Sequence, residues 1–144
     1  MPDFLSYKKI DSKLPNPTYQ TKGPVAFDLY SRIDTVIKPH EIVLVPTNLI
    51  VKIPKGHFLM IASRSSTPIK KNLFCANGIG IIDQDYHGNE DEIKVEFYNF
   101  SNKLVKIEKG ERIAQALLVK ISTPKLKLQK FNKKQSRGGF GSTK

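Results

Sequence analysis

Residues 41–61, EIVLVPTNLIVKIPKGHFLMI, decide the fold class. Three short apolar runs, Glu41 to Val45, Asn48 to Ile53 and His57 to Ile61, sit between Pro, Gly and Asn punctuation, with turn signals at Lys38-Pro39-His40 and Pro54-Lys55-Gly56. Runs of this length, bounded in this way, predict strands rather than helices. The same grammar continues outward. Val25 to Leu29 precedes the stretch, and Ile79 to Ile82, Ile93 to Phe97, Leu104 to Ile107 and Ile113 to Ile121 follow it, with turns at Ser101-Asn102-Lys103 and Lys109-Gly110. One short helix interrupts the pattern: Ser66 or Thr67 as N-cap, Pro68 in the first helical position, then Ile69 to Leu73. No internal repeat is visible, which excludes propellers and solenoids and leaves an all-β sandwich, distorted jelly roll or barrel.

With 144 residues and 39% hydrophobic content, the chain suffices for one domain with a buried core. No stretch approaches the roughly 20 apolar residues of a membrane span, and the charged Asp3, Lys8 and Lys9 do not read as a signal sequence. A soluble chain in a reducing, cytoplasmic compartment is expected, since the single Cys75 cannot form an internal disulfide. His40, His57 and His87 stand apart, so no metal-ligand cluster is predicted and any metal must be held mainly by substrate.

The net charge of +11 asks for an anionic partner. Much of it lies between Lys120 and Lys134, where lysines alternate with Leu126, Leu128 and Phe131. That segment reads either as a nucleic-acid stripe or as an extended, solvated linker, and the lack of paired aromatics favours the linker. The expected organisation is a catalytic domain over 1–124, a Lys-rich linker over 125–136 and a Gly-rich lid over 137–144. In that lid, Arg137-Gly138-Gly139-Phe140-Gly141-Ser142-Thr143-Lys144 combines glycines that admit close backbone approach with one ring able to stack and several donors for phosphate.

Three further constellations carry chemistry. Asp83 follows an apolar strand and precedes Tyr86 by three residues inside a turn, where an acid can face a ligand; alone, this reads better as an ordinary hairpin turn. Arg64 lies beside Ser63, Ser65 and Ser66 at the mouth of the expected helix, where free N–H groups and the helix dipole favour phosphate; a capped helix with a surface arginine fits as well. Gln115 sits among apolar neighbours and must be hydrogen-bonded, through the core or through a ligand.

Five segments together resemble the homotrimeric dUTPases: Ala26-Phe27-Asp28-Leu29-Tyr30-Ser31, Arg64-Ser65-Ser66, the run from Asn77 to Gly88, Gly110-Glu111-Arg112-Ile113-Ala114-Gln115, and Gly138-Gly139-Phe140-Gly141-Ser142-Thr143. Their order and their spread over most of the chain make the resemblance specific. It implies a jelly-roll-like fold, a homotrimer with shared sites, and hydrolysis of dUTP to dUMP and pyrophosphate. Asp83 resembles the carboxylate that activates water for attack at the α-phosphorus. Asn77, Gly80 and the backbone through Tyr86 resemble the uracil pocket, with the Tyr86 ring against the deoxyribose. Ser65, with Ser66 beside it, and Gln115 resemble the α- and β-phosphate contacts, and Arg64 an arginine reaching the site from a neighbouring subunit. Asp28 resembles a structural group or a partner of metal-bound water, with Mg²⁺ bridging the phosphates. Phe140 would stack on uracil beside Gly141, while Ser142, Thr143 and Arg137 would meet the terminal phosphate. Two positions depart from the family pattern: glycine is usual where Ser66 stands, and the lid arginine usually lies two residues further from the phenylalanine than Arg137 does.

The Arg-Ser-Ser triplet and Glu96-Phe97-Tyr98-Asn99 also resemble the dCTP deaminases, which share the fold and use a glutamate as proton shuttle. Those enzymes carry a second arginine five residues after the first, where this chain has Ile69, and they lack the Gly-Phe-Gly-Ser-Thr lid. By strand alternation Glu96 should share a face with Lys94 and Tyr98, opposite Ile93, Val95 and Phe97. The segment Asn89-Glu90-Asp91-Glu92, with three acids, is expected as a solvated loop tip.

Overall fold

A computed structural model describes residues 4–142. Its strands are β1 (Ser6–Lys9), β2 (Phe27–Tyr30), β3 (Thr35–Ile37), β4 (Ile42–Pro46), β5 (Leu49–Lys52), β6 (His57–Ser63), β7 (Leu73–Cys75), β8 (Gly80–Ile82), β9 (Lys94–Asn99), β10 (Val105–Ile107) and β11 (Arg112–Lys120), with one helix, α1 (Thr67–Lys71). They form a four-stranded sheet, β2-β11-β6-β8, a three-stranded sheet, β4-β9-β7, and the pairs β1-β5 and β3-β10, with antiparallel pairing throughout. The all-β, jelly-roll-like expectation holds.

Alternation sets which side of each strand faces the core. In β6, His57, Leu59 and Ile61 are buried while Phe58, Met60 and Ala62 point outward, and in β9 Val95 and Phe97 are buried while Lys94 is exposed. Glu96 accordingly shares the outer face with Lys94 and Tyr98, as alternation requires. The core joins Leu29, Ile37, Val45, Val51, Leu59, Ile61, Leu73, Val95 and Phe97 from seven strands, each such side chain contributing about 1.5–3 kcal/mol on full burial.

Three strands escaped the sequence reading. The sequence Ser-Tyr-Lys-Lys of β1 has no apolar alternation, and backbone pairing with β5 holds it. Three residues in β3 are too few for a period. Leu73, assigned above to the helix, instead opens β7, because Asn72 adopts φ 55° and ψ 33° and its N–H closes the last turn on the Pro68 carbonyl. Helix α1 therefore has only five residues.

The loop after Tyr86 corrects a second expectation. Asn89 and Glu90 are exposed and the Asp91 carboxylate accepts the Gly88 N–H at 2.6 Å, but Glu92 is buried. Its carboxylate accepts both Arg32 Nε and Nη2, at 2.7 and 2.9 Å, together with the Asn48 N–H at 2.9 Å. A buried carboxylate needs such partners, and composition alone could not reveal one 60 residues upstream.

Asn99 ties three loops together. Fully buried, it donates its amide to the carbonyls of Ile37, Lys38 and Lys103 and accepts the Ser101 N–H and hydroxyl. Burial also withdraws the Asn99-Phe100-Ser101 sequon from any modifying enzyme in the folded protein. Asn99→Ala leaves three carbonyls without this donor and should cost about 2–4 kcal/mol, read as a lower urea midpoint at unchanged m-value.

Candidate active site

One cluster forms at an end of the four-stranded sheet. Register places Asp28 of β2 opposite Gln115 of β11, and Gln115 opposite Ala62 of β6. Asp28 is buried, with one carboxylate oxygen 3.3 Å from Arg64 Nε and the other 3.3 Å from Arg112 Nη1. A shift in register between Arg112 and Ala114, of the kind a bulge produces, accompanies the approach of Arg112 to Asp28. Gln115 Nε2 donates to the Ser63 carbonyl at 3.0 Å. Arg112 appeared in the sequence only as part of a quoted segment; its pairing with Asp28 depends on the β2–β11 register and had no local signal.

Ser65 and Ser66 follow directly. Ser65 is exposed, and Ser66 occupies the N-cap of α1 at φ −82° without a side-chain capping bond. That backbone conformation suits serine, so the departure from the family's usual glycine carries no strain. A five-residue helix has little dipole, which corrects the sequence expectation: an anion here would be held by side chains and exposed N–H groups more than by the helix.

The second cluster lies on the turn joining β7 to β8, strands of different sheets. That turn is closed by the Gly78 N–H on the Cys75 carbonyl at 2.9 Å, with Gly78 at φ 77° and the Asn77 side chain exposed beside it. Gly80 pairs with Ile61, and a Cβ on it would stand 2.9 Å from the Ile61 Cβ, so glycine is required for this approach. Asp83 emerges from β8 exposed, and its carbonyl accepts the Tyr86 N–H at 3.2 Å. Among the described residues nothing hydrogen-bonds to the Asp83 carboxylate. The Tyr86 hydroxyl donates to the Glu92 carbonyl at 3.2 Å. Burial pushes the Cys75 thiol above its ordinary value, and with its sulfur against the Ser63 hydroxyl it serves as a packing residue, not a nucleophile.

The chain does not bring these clusters together. Leu59 pairs with Ile82, so Asp83 continues opposite Phe58, six residues back along β6 from Arg64. At the rise of a strand this separates them by about 20 Å. Between them the outward side chains are apolar: Phe58, Met60, Leu117 and Val119, with Ile81 60% exposed.

The last predicted residues stand apart again. Beyond Ile121, whose N–H reaches the Gly56 carbonyl, the described chain forms no strand or helix, and Leu126, Leu128 and Phe131 lie open to solvent. The Ser142 N–H donates to the Gly139 carbonyl, and the Gly139 N–H to the Ser142 hydroxyl, closing a turn with Phe140 and Gly141 at φ 52° and 83°. This turn presents the Phe140 ring fully exposed, with Arg137 exposed nearby. Thr143 lies outside the described residues. Among those residues no three His, Cys, Asp or Glu side chains gather to hold a metal. No helix is long and apolar enough to cross a membrane.

Residues 12–144 match the dUTPase family. The chain belongs to that family. A deoxyuridine 5'-triphosphate nucleotidohydrolase of Hydrogenobaculum sp. is 41% identical, with 96% of each chain covered, and one of Fowlpox virus is 39% identical over 94% of this chain and 93% of its own. Among solved dUTPases, that of Streptococcus mutans superposes with a TM-score of 0.76 at 30% identity over 83% of this chain and 98% of its own. The dUTPase of Staphylococcus bacteriophage 80alpha, solved with dUPNHPP, gives 0.85 at 27% identity over 99% of each. The dCTP deaminase alternative gains nothing from these matches, and Ile69 stands exposed where that family has its second arginine.

Proposed function

We propose that this protein is a dUTP diphosphatase, cleaving dUTP to dUMP and pyrophosphate. One observation supports this above the others: an exposed carboxylate, Asp83, follows a turn and short strand that offer Asn77 and a glycine-pinned backbone, three residues before a tyrosine. In this reading the backbone from Asn77 to Tyr86 holds uracil, and the Tyr86 ring lies against the deoxyribose. Asp83 orients a water and takes its proton as the water oxygen bonds to the α-phosphorus. The bond from that phosphorus to the bridging oxygen breaks, and pyrophosphate leaves. Positioning supplies most of the acceleration.

Ser65, Gln115 and Arg64 hold the phosphates, with Ser66 beside them. Mg²⁺ would be held mainly by the substrate's phosphates and water, and Asp28, already paired with Arg64 and Arg112, would meet it only through water. The metal would neutralise charge on the phosphates. Phe140 stacks on uracil next to Gly141, and Ser142, Thr143 and Arg137 close on the terminal phosphate.

Asp83 and Arg64 lie about 20 Å apart along the sheet, further than the few ångströms (~3–6 Å) between an attacking water and the contacts of the same α-phosphate, so in this reading the Asp83 and the Ser65–Gln115 cluster that serve one substrate come from different copies. The apolar face between them supports packing against a second copy, and the assembly of this reading is a homotrimer. The exposed tail then closes over a site to which its own chain need not contribute.

With Mg²⁺, dUTP alone among dUTP, dCTP, UTP and dTTP should yield pyrophosphate; deamination of dCTP would instead implicate Glu96. Asp83→Asn should lower kcat about a thousandfold while dUTP still binds, and lost binding would make Asp83 structural. Mixing Asp83→Asn chains with Gln115→Ala chains, each nearly inactive, should restore about a quarter of wild-type activity on random exchange, because a shared site can then hold both intact residues. Sites confined to single chains would gain nothing from mixing. Truncation before Arg137 should leave the oligomer intact and its activity severely reduced; an aggregated product would place the tail in the core.

A further inference from the structure

We propose that Arg32 and Glu92 are positioning residues for the sugar end of the site: their ion pair fixes the Glu92 carbonyl to which the Tyr86 hydroxyl is tethered, and so sets how deeply the ring bars a 2′-hydroxyl. This deepens the reading of Tyr86 given above and rests on it.

The geometry separates an anchored segment from an unanchored one. Residues 85–90 are exposed apart from a half-buried fringe at Gln84 and Asp91, whereas Glu92 and Ile93 are buried. The Ile93 N–H donates to the Leu49 carbonyl at 2.8 Å, and the Ile93 carbonyl accepts the Thr47 N–H at 3.0 Å and the Thr47 hydroxyl at 2.7 Å. Arg32 adds a two-pronged grip on the Glu92 carboxylate, and the Asn48 N–H a third bond, from a residue at φ 71°. Arg32 is itself held by its own N–H on the Pro46 carbonyl. The Glu92 peptide is therefore fixed from two directions by residues 32 and 46–49.

Tyr86 has no comparable anchor. Its ring is 38% exposed, and among the described residues its hydroxyl has a single partner, the Glu92 carbonyl. A phenol held at one point moves when that point moves. Among the described residues Arg32 forms no hydrogen bond or ion pair with Asp83, and its link to the ring runs through the Glu92 residue whose carbonyl holds the Tyr86 hydroxyl, so it acts on sugar selectivity through Tyr86 and not on the attacking water. Only a planar fork can occupy both carboxylate oxygens, so lysine at position 32 would keep the charge and lose the alignment.

The test compares kcat and KM for dUTP and UTP in Tyr86→Phe, Arg32→Lys and the paired replacement Arg32→Met with Glu92→Leu, which avoids stranding a buried charge. Tyr86→Phe and the paired replacement should each raise the ratio of kcat/KM for UTP over dUTP about tenfold, the scale of one lost hydrogen bond. The change should come mainly from a lower KM for UTP, and in the paired replacement kcat on dUTP should stay within about threefold. Arg32→Lys should fall between, and combining Tyr86→Phe with the paired replacement should add little, since both act through one tether. A paired replacement that melts earlier but leaves the ratio unchanged while Tyr86→Phe moves it would make the ion pair purely structural and overturn the proposal. If the paired protein does not fold, an unchanged ratio in Tyr86→Phe overturns it alone. Tyr86→Ala separates the levels: a ratio unmoved by that variant removes Tyr86 from the sugar pocket and fails the underlying reading as well.

Discussion

Strand β6 lies hydrogen-bonded between β11 and β8, and both halves of the candidate site are placed by those two ladders. On one side it sets Ala62 against Gln115 and, through β11, against Asp28; on the other it sets Ile61 against Gly80 and aims Asp83 outward. Its inward side chains, Leu59 and Ile61, are almost wholly buried, so slipping the register by one residue would turn them to solvent and put Phe58 and Met60 inside. The same burial that stabilises the sheet thus fixes the spacing of the chemistry. Gly80 is the point where this constraint is tightest, since the β8 backbone approaches Ile61 too closely for any side chain.

Charge is arranged differently at the two ends. Asp28 draws Arg64 and Arg112 together, and both guanidiniums keep enough exposure to meet a phosphate. Arg32 and Glu92 form the more buried pair, with the Glu92 side chain only 6% exposed. Such a pair contributes little net stability against an apolar replacement, but losing one partner strands a charge at a cost of about 3–5 kcal/mol. Its use is in fixing geometry: the carboxylate holds the 47–49 turn to the segment that follows β8.

The proposal of a site shared between copies rests on the surface of the single chain. The outer face of the large sheet carries Phe58, Met60, Ile81, Leu117 and Val119 between two clusters of polar site residues, and the tail leaves Leu126 and Leu128 entirely in solvent. A cavity of about 310 Å³ lined by Tyr7, Tyr19, Phe27, Val51 and Leu118 contains none of the predicted site residues. In the proposed function the chemistry lies on the sheet's outer surface and the β7–β8 turn, where a second copy would complete it, and not in this pocket.

The sequence by itself determined the β class, eight of the eleven strands, the start of the helix at Ser66 and Pro68, and the five segments that carry the family resemblance. These are local signals: alternation, turn residues and short motifs act over a few neighbours. It missed β1, whose four residues have no apolar period, and gave Leu73 to the helix because the left-handed Asn72 leaves no mark in composition. It placed Glu92 in solvent because the partner that buries it lies at Arg32. Only the tertiary structure decided that Asp28 gathers two arginines, that Tyr86 leans on the Glu92 carbonyl, and that Asp83 stands about 20 Å from Arg64. The first and last depend on the register between strands far apart in the chain, fixed by which faces are buried together, and the Tyr86 contact on the burial of Glu92 against Arg32; no single segment possesses these properties.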